Sequence, residues 1–271
     1  MNTPAAIDPK SFLYEEQGPI AIITFNRPDR LNSLTFEVYR ELTETLAGLR
    51  LREEVRVVII TGQGRGFCSG GDVEEIIGEL FKRNMSGLLE FTRMTCSLIR
   101  NIRALEKPVI ASLNGTVAGA GAVIALACDL RIAAESAKIA FLFAKVGLAG
   151  ADMGAAFLLP RVVGLSKATE MLYTGDFINA AEAGRIGLYN RVVANGELET
   201  ETIRWAEKLA AGPAFALGMT KAALNRELDM SLDMALEAEA EAQAICMRNS
   251  DFLEAYQAYS EKRGPEFNKR G

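Results

Sequence analysis

The 271-residue sequence predicts an α/β fold, on three observations. Apolar, β-rich runs alternate with stretches of helical periodicity. Two of those runs empty into glycine-rich turns. After residue 199 the pattern changes to helices rich in Ala, Glu and Leu.

In chain order, "PIAIITFNRP" (19–28) is a β-rich run ended by Pro28, a strand leading into a loop. "SLTFEVYRELTETLAGLR" sets Phe36, Val38, Leu42, Leu46 and Leu49 at mostly helical spacing. "VRVVIITGQGRGFCSGG" predicts a buried strand from Val55 to Thr61 and then a glycine-rich loop. "MSGLLEFTRMTCSLIRNIRALEKP" predicts a helix stopped by Pro108, with Met94, Leu98, Ile102 and Leu105 on one face. "PVIASLNGTVAGAGAVIALACDLRIA" repeats the theme as strand, glycine-rich turn, helix of small residues and strand. "ETIRWAEKLAA", "FALGMTKAALNREL" and "LDMALEAEAEAQAICMRN" are helical. The expected division is a core over 1–199 and a helical region over 200–271.

Composition narrows the chemistry. A net charge of −5 gives no basic surplus for neutralising a phosphate backbone, so nucleic acid is not an expected partner. The N-terminal stretch lacks a basic region followed by an apolar one, and no long uncharged apolar window occurs, so no membrane partner is expected. Cys68, Cys96, Cys128 and Cys246 form no CxxC pair, which fits a reducing cytoplasm and argues against zinc; no metal ligands are expected. The chain has no histidine. That removes the usual general base and the Ser-His-Asp and Cys-His nucleophile systems, leaving carboxylates, Lys, Tyr, Cys, Ser and backbone amides.

Neither "TGQGRGFCSGGD" (61–72) nor "AGAGAV" fits GxxxxGK[ST] or GxGxxG. Glycine also lets backbone N–H groups turn towards a ligand, and two such turns can aim one amide each at a single oxygen, as in an oxyanion hole. The competing reading is close strand–helix packing.

"ITFNRPDRLNSLTFEVYREL", "GRGFCSGGDVEEI", "KPVIASLNGTVAGAGAVIALACDLRIA", "AKIAFLFAKVGL", "LLPRVVGLSKATEMLYTGDFINAAEAGRIGLYNRVV" and "YSEKRGPEF" together resemble the enoyl-CoA hydratase/isomerase (crotonase) family, from about residue 12 to 268. The resemblance implies a crotonase-like spiral of ββα units with a C-terminal helical trimerisation region, and a homotrimer or a hexamer built as a dimer of trimers. It implies an acyl-CoA substrate, with coenzyme A present only as part of the thioester and no separate cofactor. The amides that would hold the thioester oxygen fall on Gly71 and Ala120, where Ala120 replaces the usual glycine. Coenzyme A contacts carry over to Arg30, Leu31, Ser69, Gly71 and Val73, and, often from a neighbouring subunit, to Lys262 and Phe267. Arg30 also reads as an exposed loop charge, and Lys262 as part of a solvated helical charge run.

One departure from the pattern stands out. Members that add water use two glutamates, and those positions here are Val123 and, at or near it, Phe143. Asp152, in "GLAGADMGAAFLLPRVVG", matches the place of a catalytic Asp in some isomerases, with an extra residue before it. One carboxylate can move a proton between the α and γ carbons of an enoyl thioester, acting as base and then as acid. Asp152 reads equally as the N-cap of the following helix. Double-bond isomerisation is the expected reaction; hydration by a non-standard acid/base set and acyl-CoA binding without turnover remain open. Asp72, three residues before Glu75, reads as a cap. Cys68, Tyr173, Tyr189, Met85, Met94 and Met153 read as packing residues.

Overall fold

The structure, a computed structural model, describes residues 7–268. A hairpin of β1 (Phe12–Gln17) and β2 (Ile20–Phe25) leads into helix α1 (Phe36–Leu49). Three units of two strands and helix follow. The first is β3 (Val57–Gly62), β4 (Gly66–Cys68), the short α2 (Gly78–Leu80) and α3 (Met85–Ala104). The second is β5 (Val109–Leu113), β6 (Thr116–Ala118) and α4 (Ala120–Ala127). The third is β7 (Leu130–Ala134), β8 (Lys138–Ala140), α5 (Ala155–Val163) and α6 (Leu165–Thr174). The chain continues through β9 (Ile178–Asn179), α7 (Ala180–Arg185) and β10 (Arg191–Val193). It ends in α8 (Leu198–Ala210), α9 (Ala214–Arg226), α10 (Leu232–Met247) and α11 (Ser250–Ser260).

The first strand of each unit joins a six-stranded sheet in the order β1-β2-β3-β5-β7-β10; the second joins a four-stranded sheet, β4-β6-β8-β9. Pairing is parallel except for β1–β2 and β8–β9, so each unit advances one strand along both sheets and the chain winds as a spiral. The sequence reading placed only glycine-rich loop in "GQGRGFCSGG". β4 lies inside it, because three residues are too few for a periodic signal and their pairing partner, β6, is remote in sequence.

Helix periodicity survives largely intact. Val38, Leu42, Leu46 and Leu49 of α1 and Leu98 and Ile102 of α3 are buried on facing stripes. All eight residues of α4 are buried, which only Ala, Gly, Val, Ile and Leu without charge permit. α8 lays Leu198, Ala206 and Ala210 on the opposite face of the large sheet, against Ile20, Ile22, Val57, Ile59, Ile110 and Ile132. Both faces of β2, β3 and β5 are therefore covered, which accounts for their continuous apolar runs. Tyr173 and Met85 depart from the packing expectation: both are strongly exposed, whereas Met153 and Tyr189 are buried and Met94 packs on the core.

The helices after residue 199 divide between this core and an outer arm. α9 is held by Lys221, whose Nζ lies 2.7 Å from Asp129 Oδ2 and donates to the carbonyls of Ile102 (3.0 Å) and Lys107 (3.1 Å). α10, in contrast, has no buried residue. Lys221→Ala leaves two carbonyls without their donor and the Asp129 carboxylate with only Arg103, 3.8 Å away, as a cation among the described residues, so a loss of about 1–3 kcal/mol is expected; chemical denaturation of the variant checks it.

Candidate active site

Two turns meet at the carboxyl ends of the short strands β4 and β6. Leu34 N–H donates to Gly70 C=O at 2.8 Å, and Asp72 N–H donates to Leu34 C=O at 2.8 Å, a parallel bridge centred on Leu34 and Gly71. In such a bridge the residue between the two bonded neighbours turns its own N–H to the other side. Gly71 therefore presents its amide away from Leu34. Ala120 is the first residue of α4, where no intrahelical acceptor exists. Neither amide has an acceptor among the described residues.

Gly70 (φ +103°) and Gly119 (φ +53°) make the meeting possible. A Cβ on Gly70 would stand 3.3 Å from Ala118 O and 3.5 Å from the Ala120 nitrogen, and one on Gly119 would stand 3.5 Å from Gly70 Cα. The two backbones are thus in contact. Because Gly119 takes the left-handed φ, Ala120 keeps ordinary helical geometry and its methyl group costs nothing. The packing use of glycine holds alongside: Gly121 lies so close to Cys68 that a Cβ would fall 2.5 Å from the Cys68 carbonyl oxygen.

Asp72 fixes the first turn. Its Oδ1 accepts the N–H groups of Glu74 and Glu75, both at 3.0 Å, and its Oδ2 accepts from Ser33 Oγ (2.8 Å) and Arg27 (3.2 Å). The Glu75 amide leads these contacts in lowering the Asp72 pKa to about 2. Asn32 braces the same loop from behind: buried and left-handed at φ 58°, it accepts Arg27 N–H at 2.8 Å and donates to Gln63 O (2.9 Å) and Gly66 O (2.7 Å). Sequence reasoning missed Arg27, Asn32 and Ser33 as supports. The available signal was an Asn in a turn, since Asn tolerates the left-handed region.

The residues expected to contact coenzyme A separate into two groups. Arg30, Leu31, Ser69, Gly71 and Val73 gather on one rim: Ser69 N–H donates to Leu31 O at 3.0 Å, Ser69 Oγ to Arg30 O at 3.3 Å, and Arg30 stands 3.5 Å from Glu74. Val73 is exposed beside them. Lys262 is exposed after α11, and Phe267 lines a cavity of about 200 Å³ with Pro213, Phe215 and Phe252. No hydrogen bond or ion pair among the described residues joins either one to the rim.

Asp152 is not the cap of α5. Gly154 holds the N-cap position without a side-chain bond, and among the described residues the Asp152 carboxylate accepts only the N–H of Met153, at 2.9 Å. Met153 takes a left-handed φ of 50° and Gly154 one of 91°, so the chain turns sharply before the helix begins and carries Asp152 off its axis. Burial raises the Asp152 pKa from its ordinary value, against the smaller opposing pull of Met153 N–H. Its charge in turn bears on Tyr39 of α1 and Cys96 of α3. Val123 and Phe143 are buried and apolar. Cys68 is fully buried with its thiol pushed up to about 12, which suits packing and not nucleophilic attack.

The model of the enoyl-CoA hydratase/isomerase family matches residues 15–270. The chain belongs to that family. A 1,2-epoxyphenylacetyl-CoA isomerase of Escherichia coli (strain K12) is 36% identical over 259 residues, which is 93% of this chain and 95% of the relative. A crotonyl-CoA hydratase of Syntrophomonas wolfei is 34% identical, with 95% and 98% covered. A solved structure from Streptomyces coelicolor A3(2), assigned to the enoyl-CoA hydratases, superposes with a TM-score of 0.96 at 47% identity, covering 100% of this chain and 98% of that one. These similarities bear out the crotonase α/β fold, and the family processes acyl-CoA thioesters by hydration or isomerisation.

Two measurements follow from the electrostatics. Asp72 has a depressed folded pKa, so its contribution is present above the unfolded value of 3.8 and lost as pH falls towards 2. Asp72→Ala is expected to cost about 2–3 kcal/mol at pH 7, with the deficit shrinking below pH 4, in denaturation series over that range. Asp152 has the opposite sign. Its folded pKa is raised, so its ionised form costs stability above that pKa, and the cost vanishes as pH falls and the group is protonated. Asp152→Asn is therefore expected to raise Tm at pH 7 and to match the parent protein at pH 3.

Proposed function

We propose that this chain shifts a C=C bond in an acyl-CoA thioester, with Asp152 as the single proton shuttle and the Gly71 and Ala120 amides holding the thioester oxygen. The observation that carries this is Asp152 itself: a carboxylate kept from capping, its pKa raised by burial, with its charge bearing on Tyr39 of α1 and Cys96 of α3. Asp152 removes a proton from the α carbon, and the electron pair delocalises onto the thioester oxygen as a dienolate. Two N–H donors favour that charge over the neutral carbonyl, each worth about 10²–10³ in rate. The Asp152 carboxylic acid then gives the same proton to the γ carbon, and the double bond has moved by one position. No second acid is required, which suits a chain with valine and phenylalanine where water-adding relatives are expected to carry glutamates.

The rim of Arg30, Leu31, Ser69, Gly71 and Val73 is the proposed seat of the coenzyme A portion, which enters with the substrate and not as a separate cofactor. Lys262 and Phe267 are proposed to reach a neighbouring subunit's coenzyme A. The arm supports assembly as a homotrimer or hexamer: α10 exposes Leu232, Met234, Leu236, Ile245 and Met247, and α11 exposes Phe252, Leu253, Tyr256 and Tyr259, apolar surface that favours a protein contact. No helix among the described residues is long and apolar enough to cross a membrane. Four free cysteines, two of them fully buried, favour a cytoplasmic, reducing setting.

Asp152→Asn is expected to lower isomerisation of a 3-enoyl-CoA by about 10²–10⁴-fold with acyl-CoA binding kept. Activity of the parent protein is expected to fall as pH drops through the raised Asp152 pKa, because the base must be ionised to start. Normal turnover by the Asn variant would overturn the assignment. Loss of the conjugated thioester absorbance of crotonyl-CoA would favour hydration, and binding across a panel of acyl-CoAs without turnover would favour a non-catalytic binder.

A further inference from the structure

Helix α4 carries the Ala120 amide at its amino end and closes at Ala127. Its eight residues are all buried and none is charged, so no side chain of the helix screens the backbone dipole. The carbonyls at the carboxyl end are taken up by two arginines. Arg131 of β7 donates from Nη1 to the carbonyls of Cys128 (2.7 Å), Leu126 (3.3 Å) and Ala125 (3.4 Å), and Arg103 of α3 donates to that of Ala127 (3.3 Å). The rest of the Arg131 guanidinium is held by Leu188 O (2.7 Å) and Asn190 Oδ1 (3.5 Å).

All of those acceptors are neutral. Arg131 is 5% exposed, and no carboxylate among the described residues forms an ion pair with it. Asp129, whose charge bears on it, is engaged by Lys221 at 2.7 Å and by Arg103 at 3.8 Å, so three cations meet one carboxylate at this end of the helix. A buried cation without a counter-ion of its own is strongly disfavoured. Orphan carbonyls at a helix end are ordinarily satisfied by a glycine turn, a neutral donor or water, so a full charge held there needs a reason beyond capping.

We propose that Arg131 is a positioning residue for the reaction: it fixes α4 by its carboxyl end and, with Arg103, adds positive potential along the helix axis towards the Ala120 N–H, favouring negative charge on the thioester oxygen over the neutral carbonyl. This role rests on the reading of Gly71 and Ala120 as the amides that hold that oxygen. Aligned peptide dipoles leave about half a positive charge at the amino end of a helix and about half a negative charge at the carboxyl end. A guanidinium on the carboxyl end offsets the second and leaves the first. Eight residues span about 12 Å. At an effective dielectric constant of about 20, a unit charge roughly 16 Å from the oxygen shifts the balance between oxyanion and neutral carbonyl by roughly sixfold. Burial of every α4 residue keeps screening water off that path. The effect grows with the charge on the oxygen, so it acts on the dienolate more than on the bound substrate.

Infrared difference spectra of butyryl-CoA, isotope-labelled at the thioester carbonyl carbon and bound to the full chain, read the field at that oxygen, and turnover of a 3-enoyl-CoA reads its consequence. The carbonyl band is expected to move to lower frequency when the ligand binds the parent protein. In Arg131→Gln, which keeps a donor for the carbonyls but not the charge, the band is expected to move back towards its position in water. There kcat is expected to fall about three- to tenfold while butyryl-CoA affinity stays within about twofold. Arg131→Lys, which keeps the charge and loses the fork, is expected to recover most of the band shift and most of kcat. A folded Gln variant with the parent band, or Gln and Lys variants that lose kcat equally, overturns the role of Arg131. If Arg131→Gln does not fold, Arg103→Gln carries the test at a partly exposed side chain: a smaller band shift in the same direction is expected, and an unchanged band overturns the proposal. A band that does not move when butyryl-CoA binds the parent protein overturns the two-amide reading instead, and failure to bind overturns the acyl-CoA reading itself.

Discussion

Backbone contact between Gly70 and Gly119 is the constraint on which the rest of the site depends. Those residues belong to turns some fifty positions apart in the chain, and they touch because β4 and β6 lie side by side in the small sheet. Positive φ angles at both let the following residues, Gly71 and Ala120, direct their N–H groups outward with no acceptor of their own among the described residues. Two unpaired amides on touching backbones are a costly arrangement for a folded chain unless a ligand completes them. The spiral tolerates it because each turn is braced by groups outside it: Asp72, Ser33, Arg27 and Asn32 behind the first, the buried helix α4 behind the second.

Asp152 illustrates how placement decides chemistry. A carboxylate at the start of a helix becomes a strong acceptor of backbone amides and a weak base, as Asp72 does with its pKa near 2. The left-handed residues Met153 and Gly154 remove Asp152 from that fate by turning the chain before α5 begins, so that among the described residues it accepts a single amide and burial dominates. Two aspartates in one protein are thereby driven in opposite directions by local backbone geometry. Met153 carries the strain, and a non-glycine residue in the left-handed region beside a candidate catalytic acid is consistent with strain retained for function.

The outer arm follows a different logic from the core. α8 and α9 are held by apolar packing and by the Lys221–Asp129 pair, while α10 turns leucine, isoleucine and methionine side chains to solvent. A chain with 49% hydrophobic residues has enough apolar material for a core, and it leaves further apolar side chains exposed on the arm.

Local information was enough for the α/β class, the stripes of α1 and α3, the two glycine turns and the singular position of Asp152, because periodicity, turn residues and missing histidine are written in short windows. The absence of acids at Val123 and Phe143 was equally legible. Tertiary structure decided what no window contains. The three-residue strands β4, β6 and β8 exist only through pairing with one another, and the contact of Gly70 with Gly119 exists only through that pairing. Whether Asp152 caps a helix depends on the φ angles of two residues. Sequence spacing sets what a segment favours, whereas long-range packing sets the solvation and partners of each polar group, and it is those that govern proton transfer and recognition.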